Sequence, residues 1–283
     1  MVRQVPPRPR RSPARAATGA LVAALAMSLA TLGMSAATPA TPAGAATRAK
    51  STCSSVPRKG VDASGRAPVV SYPGYSLSYC TDFTGTALPG GWGKFDGVPQ
   101  GDPSGRFDPS HVVVGNGMLS LNVARDPAHG NVWATGGVCH CANALTYGAY
   151  FVRSRVTGGG VDETELLWPT APVWPPEVDF NETSQTTTFT HWYDHFNPNN
   201  SQAARKRHIN LLQWHTWGLV WTPLSLTFLV DGAVWGVVTA AYQIPHQAMT
   251  LDLQQQTWCG IAPECPTKPV SMQVDWVSEF ALG

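Results

Sequence analysis

From Val69 to Phe280 the chain alternates apolar and polar residues in short runs broken by turn residues. A period of two is what a strand shows when every other side chain faces a core. His111–Val123, "HVVVGNGMLSLNV", splits into two such runs at Gly115-Asn116-Gly117. Asn-Gly there predicts a tight hairpin, because both turn positions need positive φ. Trp217–Val238 predicts a Thr-Pro turn followed by a second hairpin at Asp231-Gly232. Ala144–Val156 and Ser271–Leu282 alternate in the same way. No amphipathic run exceeds about two helical turns, and no repeat recurs at a fixed period. Strands of this kind over about 210 residues predict an all-β sandwich of two sheets.

Composition supports that pattern. Eleven Trp, 27 Gly and 24 Pro in 283 residues suit many short strands and turns. Only 13% of residues are charged, against roughly 25% in an average domain. The net charge of +1 includes Arg3, Arg8, Arg10, Arg11 and Arg15, with no acid among residues 1–16. The remainder is slightly acidic, and nothing in it suggests a nucleic-acid surface.

Those arginines precede an apolar run, Ala20–Met34, and an A-x-A pattern at Ala43-Gly44-Ala45. Residues 1–46 therefore predict a secretory signal, with the run too short for a comfortable membrane anchor. Residues 47–70 predict a linker or a loosely attached arm, and 71–283 one folded domain. All six cysteines follow the signal, and an even number in an exported chain implies disulfides. Cys259 and Cys265 are the best local pair. Cys139-His140-Cys141 lacks a second ligand pair at zinc spacing, so it too reads as structural.

Against this low charge, "WPPEVDFNE" (residues 174–182) gathers three acids. In a strand Glu177 and Asp179 share one face, while Val178 and Phe180 turn to a core. Glu182 falls on the wrong face unless one extra residue forms a β-bulge near Phe180-Asn181. Five steps then span about 13 Å at ~3.3 Å each, and two Glu side chains leaning together close most of that gap. Carboxyl groups about 5–5.5 Å apart are the geometry of a retaining glycosidase. Taken alone, the trio reads more readily as a solvated or calcium-binding acidic strand, since such spacings arise by chance.

The neighbouring segments favour the chemical reading. "WPPEVDFNE" resembles the active-site signature of glycoside hydrolase family 16, the laminarinase/lichenase group, in its bulged E-x-D-x-x-E form. "LTYGAYFVRSRV", "ELLWPTAPVWPP", "WHTWGLVWTPLSLTFLVDG" and "MQVDWVSEF" are similar to other family segments in the same order, over roughly residues 80–282. The resemblance implies a concanavalin A-like β-jelly roll with a cleft on its concave face. By it, Glu177 matches the nucleophile, Glu182 the general acid/base and Asp179 the assisting carboxylate. His191 stands where members carry a His near the acid/base. Trp92, Trp168, Trp174 and Trp192 are candidate sugar platforms, since aromatic faces stack on sugar C–H faces; core packing is the competing reading for each. Gln254 and Gln256, alternating with apolar residues, are candidate hydrogen-bond partners for sugar. Catalysis needs no cofactor. Asp275 matches the position of a ligand to structural calcium on the convex side. Asn181-Glu182-Thr183 is formally a glycosylation sequon, but a glycan there would block the cleft.

The sequence departs from the family in "TGGGVDETE", which is unusually acidic, and in His208-Ile209-Asn210. The expected protein is a secreted, monomeric, endo-acting glycosidase. Its partner is a polysaccharide, foremost a β-1,3- or mixed β-1,3/1,4-glucan, with neither nucleic acid nor membrane after signal cleavage. A galactan such as agar, transglycosylation, or lectin-like binding without cleavage remain the alternatives.

Overall fold

The computed structural model describes residues 53–59, 61–99, 101–260 and 265–283. The signal predicted for residues 1–46 lies outside them. Among the described residues seventeen strands follow in chain order. The first seven are β1 (Tyr75–Thr81), β2 (Gly93–Lys94), β3 (Gly105–Phe107), β4 (Val112–Gly115), β5 (Met118–Asp126), β6 (Val132–Thr135) and β7 (Gly137–Cys139). The next five are β8 (Gly148–Val156), β9 (Asp162–Pro169), β10 (Glu177–Glu182), β11 (Phe189–Asn197) and β12 (Ser201–His208). The last five are β13 (His215–Thr222), β14 (Ser225–Val230), β15 (Ala233–Val238), β16 (Met249–Gln256) and β17 (Val270–Leu282). Among the described residues no helix is long and apolar enough to cross a membrane.

The strands form two sheets. One has ten strands, ordered β15-β14-β13-β8-β17-β5-β6-β3, with β1 added on β17 and β4 on β5. The other has seven, ordered β12-β11-β10-β9-β16-β7-β2. Pairing is antiparallel except between β3 and β6. The hairpins follow the turn chemistry. β4 and β5 pair Gly115 with Met118, and Asn116 and Gly117 sit at φ 55° and 67°. β14 and β15 pair Val230 with Ala233, and Asp231 and Gly232 sit at φ 50° and 80°.

Alternation explains the core. Leu119, Leu121, Val152, Leu219 and Phe228 from the larger sheet are fully buried, as are Leu167, Val178, Phe180, Leu251 and Leu253 from the smaller. Each such side chain contributes about 1.5–3 kcal/mol relative to exposure. The two sheets together form the expected all-β sandwich, and the other face of the seven-stranded sheet is left to carry polar side chains.

Described residues of the expected linker or arm make specific bonds to the domain. Cys53 is bonded to Cys80 of β1, and Arg58 pairs with buried Asp82. Ala63 N and Ser64 N donate to Asp275 at 2.7 and 3.0 Å, and Ser64 Oγ bonds it as well. Trp276 Nε1 donates to Arg66 O at 2.8 Å. Sequence alone missed this docking because the segment has no periodicity, and its hydrogen bonds to Asp275 and Trp276 run to residues some 210 positions away. The Asp275 carboxylate, expected from the resemblance to hold calcium, thus faces N–H and O–H groups of the arm. Cys139–Cys141 and Cys259–Cys265 are the other two disulfides.

Candidate active site

The acidic strand is β10, and its ladder contains the predicted irregularity. Against β11, Glu177 pairs with His195 and Asp179 with Tyr193, and then Glu182 pairs with His191. Three steps on β10 therefore match two on β11. Against β9, Asp179 pairs with Leu166 and Asn181 with Glu165, so the extra residue lies at Phe180-Asn181. Val178, Phe180 and Asn181 are all fully buried. Glu177 and Glu182 both open onto one cleft of about 860 Å³.

Neighbouring strands complete that cleft by the same alternation. β9 contributes Asp162, Thr164 and Trp168, and β16 contributes Thr250, Asp252, Gln254 and Gln256. Trp174 lies just before β10, and its Nε1 donates to Glu177 Oε2 at 2.6 Å. His195 Nε2 lies 3.3 Å from Asp179 Oδ2, while its Nδ1 meets Asn200 Oδ1 at 2.6 Å. His191 is on the same face of β11, opposite Glu182, with Nδ1 at 3.4 Å from Ser184 Oγ.

Electrostatics separate the acids. Burial raises Glu177, but the opposing pull of His195 and the Trp174 bond restrain the shift. Burial, then the charges of Asp162 and Asp179, push Glu182 well above the ordinary carboxylate range. Burial and the charge of Glu177 do the same to Asp179. Asp162 rises to about 6 through burial, despite donors from Ser184 N and the Glu182 side chain. The arrangement can therefore hold one carboxyl protonated across from another that ionises more readily, which is what acid-assisted displacement at a sugar carbon requires.

Of the residues singled out by sequence, Glu177, Glu182, Trp168, Trp174, Gln254 and Gln256 line the cavity. Asp179 lies beside them, 1% exposed. Two tryptophans do not join them. Trp192 points between the sheets, 6% exposed and stacked on Phe228 at 4.4 Å. Alternation forces this, because His191 and Tyr193 on either side of it take the cleft face. Trp92 stacks on His140 at 4.9 Å and donates to Tyr79 Oη at 2.9 Å, packing against the core. Sequence reasoning passed over Asp162, His195, Asp252 and Trp258, all of which line the cavity. Asp252 has the parity of Gln254 and Gln256 and could have been found from it. Asp162 lay within the acidic stretch already noted as unusual.

Solved structures share this fold. The laminarinase from Rhodothermus marinus superposes with a TM-score of 0.66 at 18% identity, covering 74% of this chain and 98% of that one. A non-specific endo-β-1,3(4)-glucanase of family 16 gives 0.66 at 20% identity, over 80% and 98%. A structure described with gut-microbial endo-acting O-glycanases that initiate mucin breakdown gives 0.62 at 19%, over 76% and 94%. No curated protein matches the sequence. At these identities the likeness establishes the fold, which is that of the laminarinases. The model of glycosyl hydrolases family 16 matches residues 104–278, well over half of the chain, and the chain belongs to that family.

Proposed function

We propose that this glycoside hydrolase is a secreted endo-β-glucanase that cleaves internal β-1,3- or mixed β-1,3/1,4-linkages with retention of configuration. The observation that carries the reading is the bulge in β10, which turns Glu182 onto the same cleft face as Glu177. Trp168 and Trp174 line the cleft and offer rings for sugar stacking. The laminarinase neighbours favour a β-glucan. Three disulfides and the signal-like residues 1–46 favour an oxidising, extracellular setting.

The reaction follows from the two environments. Ionised Glu177, held by the Trp174 N–H, attacks the anomeric carbon. The glycosidic C–O bond breaks, and the departing oxygen takes the proton of Glu182. Glu182, now ionised, accepts a proton from water, whose oxygen displaces Glu177 from the same carbon. Two inversions give retention. Asp179, between the two and backed by His195, steadies Glu177 and moderates the charge between them.

Product analysis on a panel of β-glucans, galactans and mucin-type O-glycans tests the substrate. Release of β-1,3- or mixed-linkage oligosaccharides of retained configuration is the expected result, whereas cleavage of galactan or O-glycan alone would move the reading to that polymer. Binding without any new reducing ends would leave a lectin-like protein. Glu177→Gln is expected to abolish hydrolysis while leaving thermal unfolding nearly unchanged. Azide should rescue Glu177→Ala as a glycosyl azide of inverted configuration; rescue of that kind in Glu182→Ala would exchange the two roles.

A further inference from the structure

The chemistry leaves part of the acidic stretch Asp162-Glu163-Thr164-Glu165 unused. Asp162 and Thr164 face the cleft, but Glu163 and Glu165 turn into the sandwich, 1% and 0% exposed. Two carboxyl groups in an apolar core are costly unless they are hydrogen-bonded and shed charge. Glu165 is hydrogen-bonded through both oxygens and Glu163 through one, and both are pushed towards the neutral form. Ser154 Oγ lies 3.1 Å from Glu163 Oε1 and 2.5 Å from Glu165 Oε1, and Trp217 Nε1 donates to that hydroxyl at 3.0 Å. Glu163 Oε2 has no hydrogen-bond partner among the described residues. Burial, then the charge of Glu165, pushes Glu163 well above the carboxylate range. Burial raises Glu165 to about 7.

The second oxygen of Glu165 leads to the bulge. Asn181 Nδ2 donates to Glu165 Oε2 at 2.5 Å, and Asn181 Oδ1 accepts from Thr190 Oγ1 at 2.6 Å. Thr190 Oγ1 in turn accepts from Glu182 N at 3.2 Å. Ser154, Glu165, Asn181 and Thr190 are each fully buried. A bulge residue is ordinarily left without ladder partners and lets its strand bend. Here the extra residue is tied on both sides, and the tie ends on the backbone of Glu182.

We infer that Glu165, held by Ser154, is a positioning residue: through Asn181 and Thr190 it fixes the bulge and so the aim of Glu182. The inference rests on the reading of Glu182 as acid/base. It also explains why Asn181 serves as an internal bracket and not as a glycan acceptor.

The test compares kcat/KM for aryl glycosides of the oligosaccharide that the wild-type protein releases, with leaving groups from phenol to 2,4-dinitrophenol. Poor leaving groups need the proton of Glu182, and dinitrophenolate does not. Glu165→Leu and the nearly isosteric Thr190→Val should each lose about 10²-fold on the phenyl substrate, the scale of a small misplacement. On the dinitrophenyl substrate they should change by no more than about threefold, with azide speeding turnover by taking over the second step from water. Glu165→Gln should restore most of the loss, because its amide can donate to Ser154 while its carbonyl still accepts from Asn181. An equal loss on all leaving groups, no loss, or a Gln variant as impaired as Leu would overturn the inference. Should Glu165→Leu fail to fold, Thr190→Val decides by the same comparison. Glu182→Ala is the reference: a flat leaving-group dependence in that variant would overturn the acid/base assignment, and the inference with it.

Discussion

Glu182 shows how one residue's protonation depends on its neighbours. Asp162 contributes the largest charge effect upon it after burial itself, and Asp162 is oriented by Ser184 N at 2.8 Å. Neutralising that charge should lower the Glu182 pKa. Asp162→Asn is therefore expected to move the alkaline limb of kcat/KM to lower pH, read from the pH profile on glucan oligosaccharide. Asp194 offers a stability counterpart. It is fully buried, and neither carboxyl oxygen has a hydrogen-bond partner among the described residues. Burial raises it to about 7, against about 3.9 in an unfolded chain. The folded form then binds more protons across that window, so stability falls as pH rises from about 4 to about 7. Asp194→Asn removes the penalty, and its effect on Tm should be more favourable at pH 8 than at pH 4.

At the scale of elements, the turns and the bulge carry the specification. Gly117 sits at φ 67°, and a Cβ there would strike the Val61 carbonyl of the N-terminal arm. Gly232 sits at φ 80° with open space around it. Gly232→Ala should cost about 1 kcal/mol of left-handed strain, while Gly117→Ala adds a clash with fixed backbone and should cost about 2–3 kcal/mol. Denaturant unfolding of the two variants checks the order. The hairpins at Asn116-Gly117 and Asp231-Gly232 were legible because their backbone demands residue types that few other positions do. The bulge was legible for another reason: a five-residue spacing of acids makes sense in a strand only if one residue is extra. Its fixation was not legible, because Glu165, Asn181 and Thr190 come from three different strands.

For the whole molecule, the two sheets and the docked arm act together. The arm crosses the ten-stranded sheet through Cys53–Cys80 and the Asp275 bonds, on elements that do not line the cleft. Replacing Cys53 and Cys80 by Ser opens a loop of 27 residues and should lower unfolding free energy by about 3 kcal/mol. Hydrolysis well below the melting point should hold, and the arm should become open to protease. Retained stability would show that the hydrogen bonds alone hold it.

The sequence by itself determined the strand pattern and the hairpin turns, and pointed to the Cys259–Cys265 pair and the bulge in the acidic strand. Each of these depends on neighbours within a few positions, where backbone sterics and period-two alternation act directly. Only the tertiary structure decided which face each tryptophan takes, what Asp275 binds and which acids surround Glu182. Trp192 went inward because the other side of its strand already carried His191 and Tyr193. Asp162 and Asp252 reached the cleft because β9 and β16 register against each other, pairing Asp252 with Leu166 and Gln256 with Asp162. Long-range pairing sets the electrostatics of the site, since Coulomb forces and burial depend on distance in space and not along the chain.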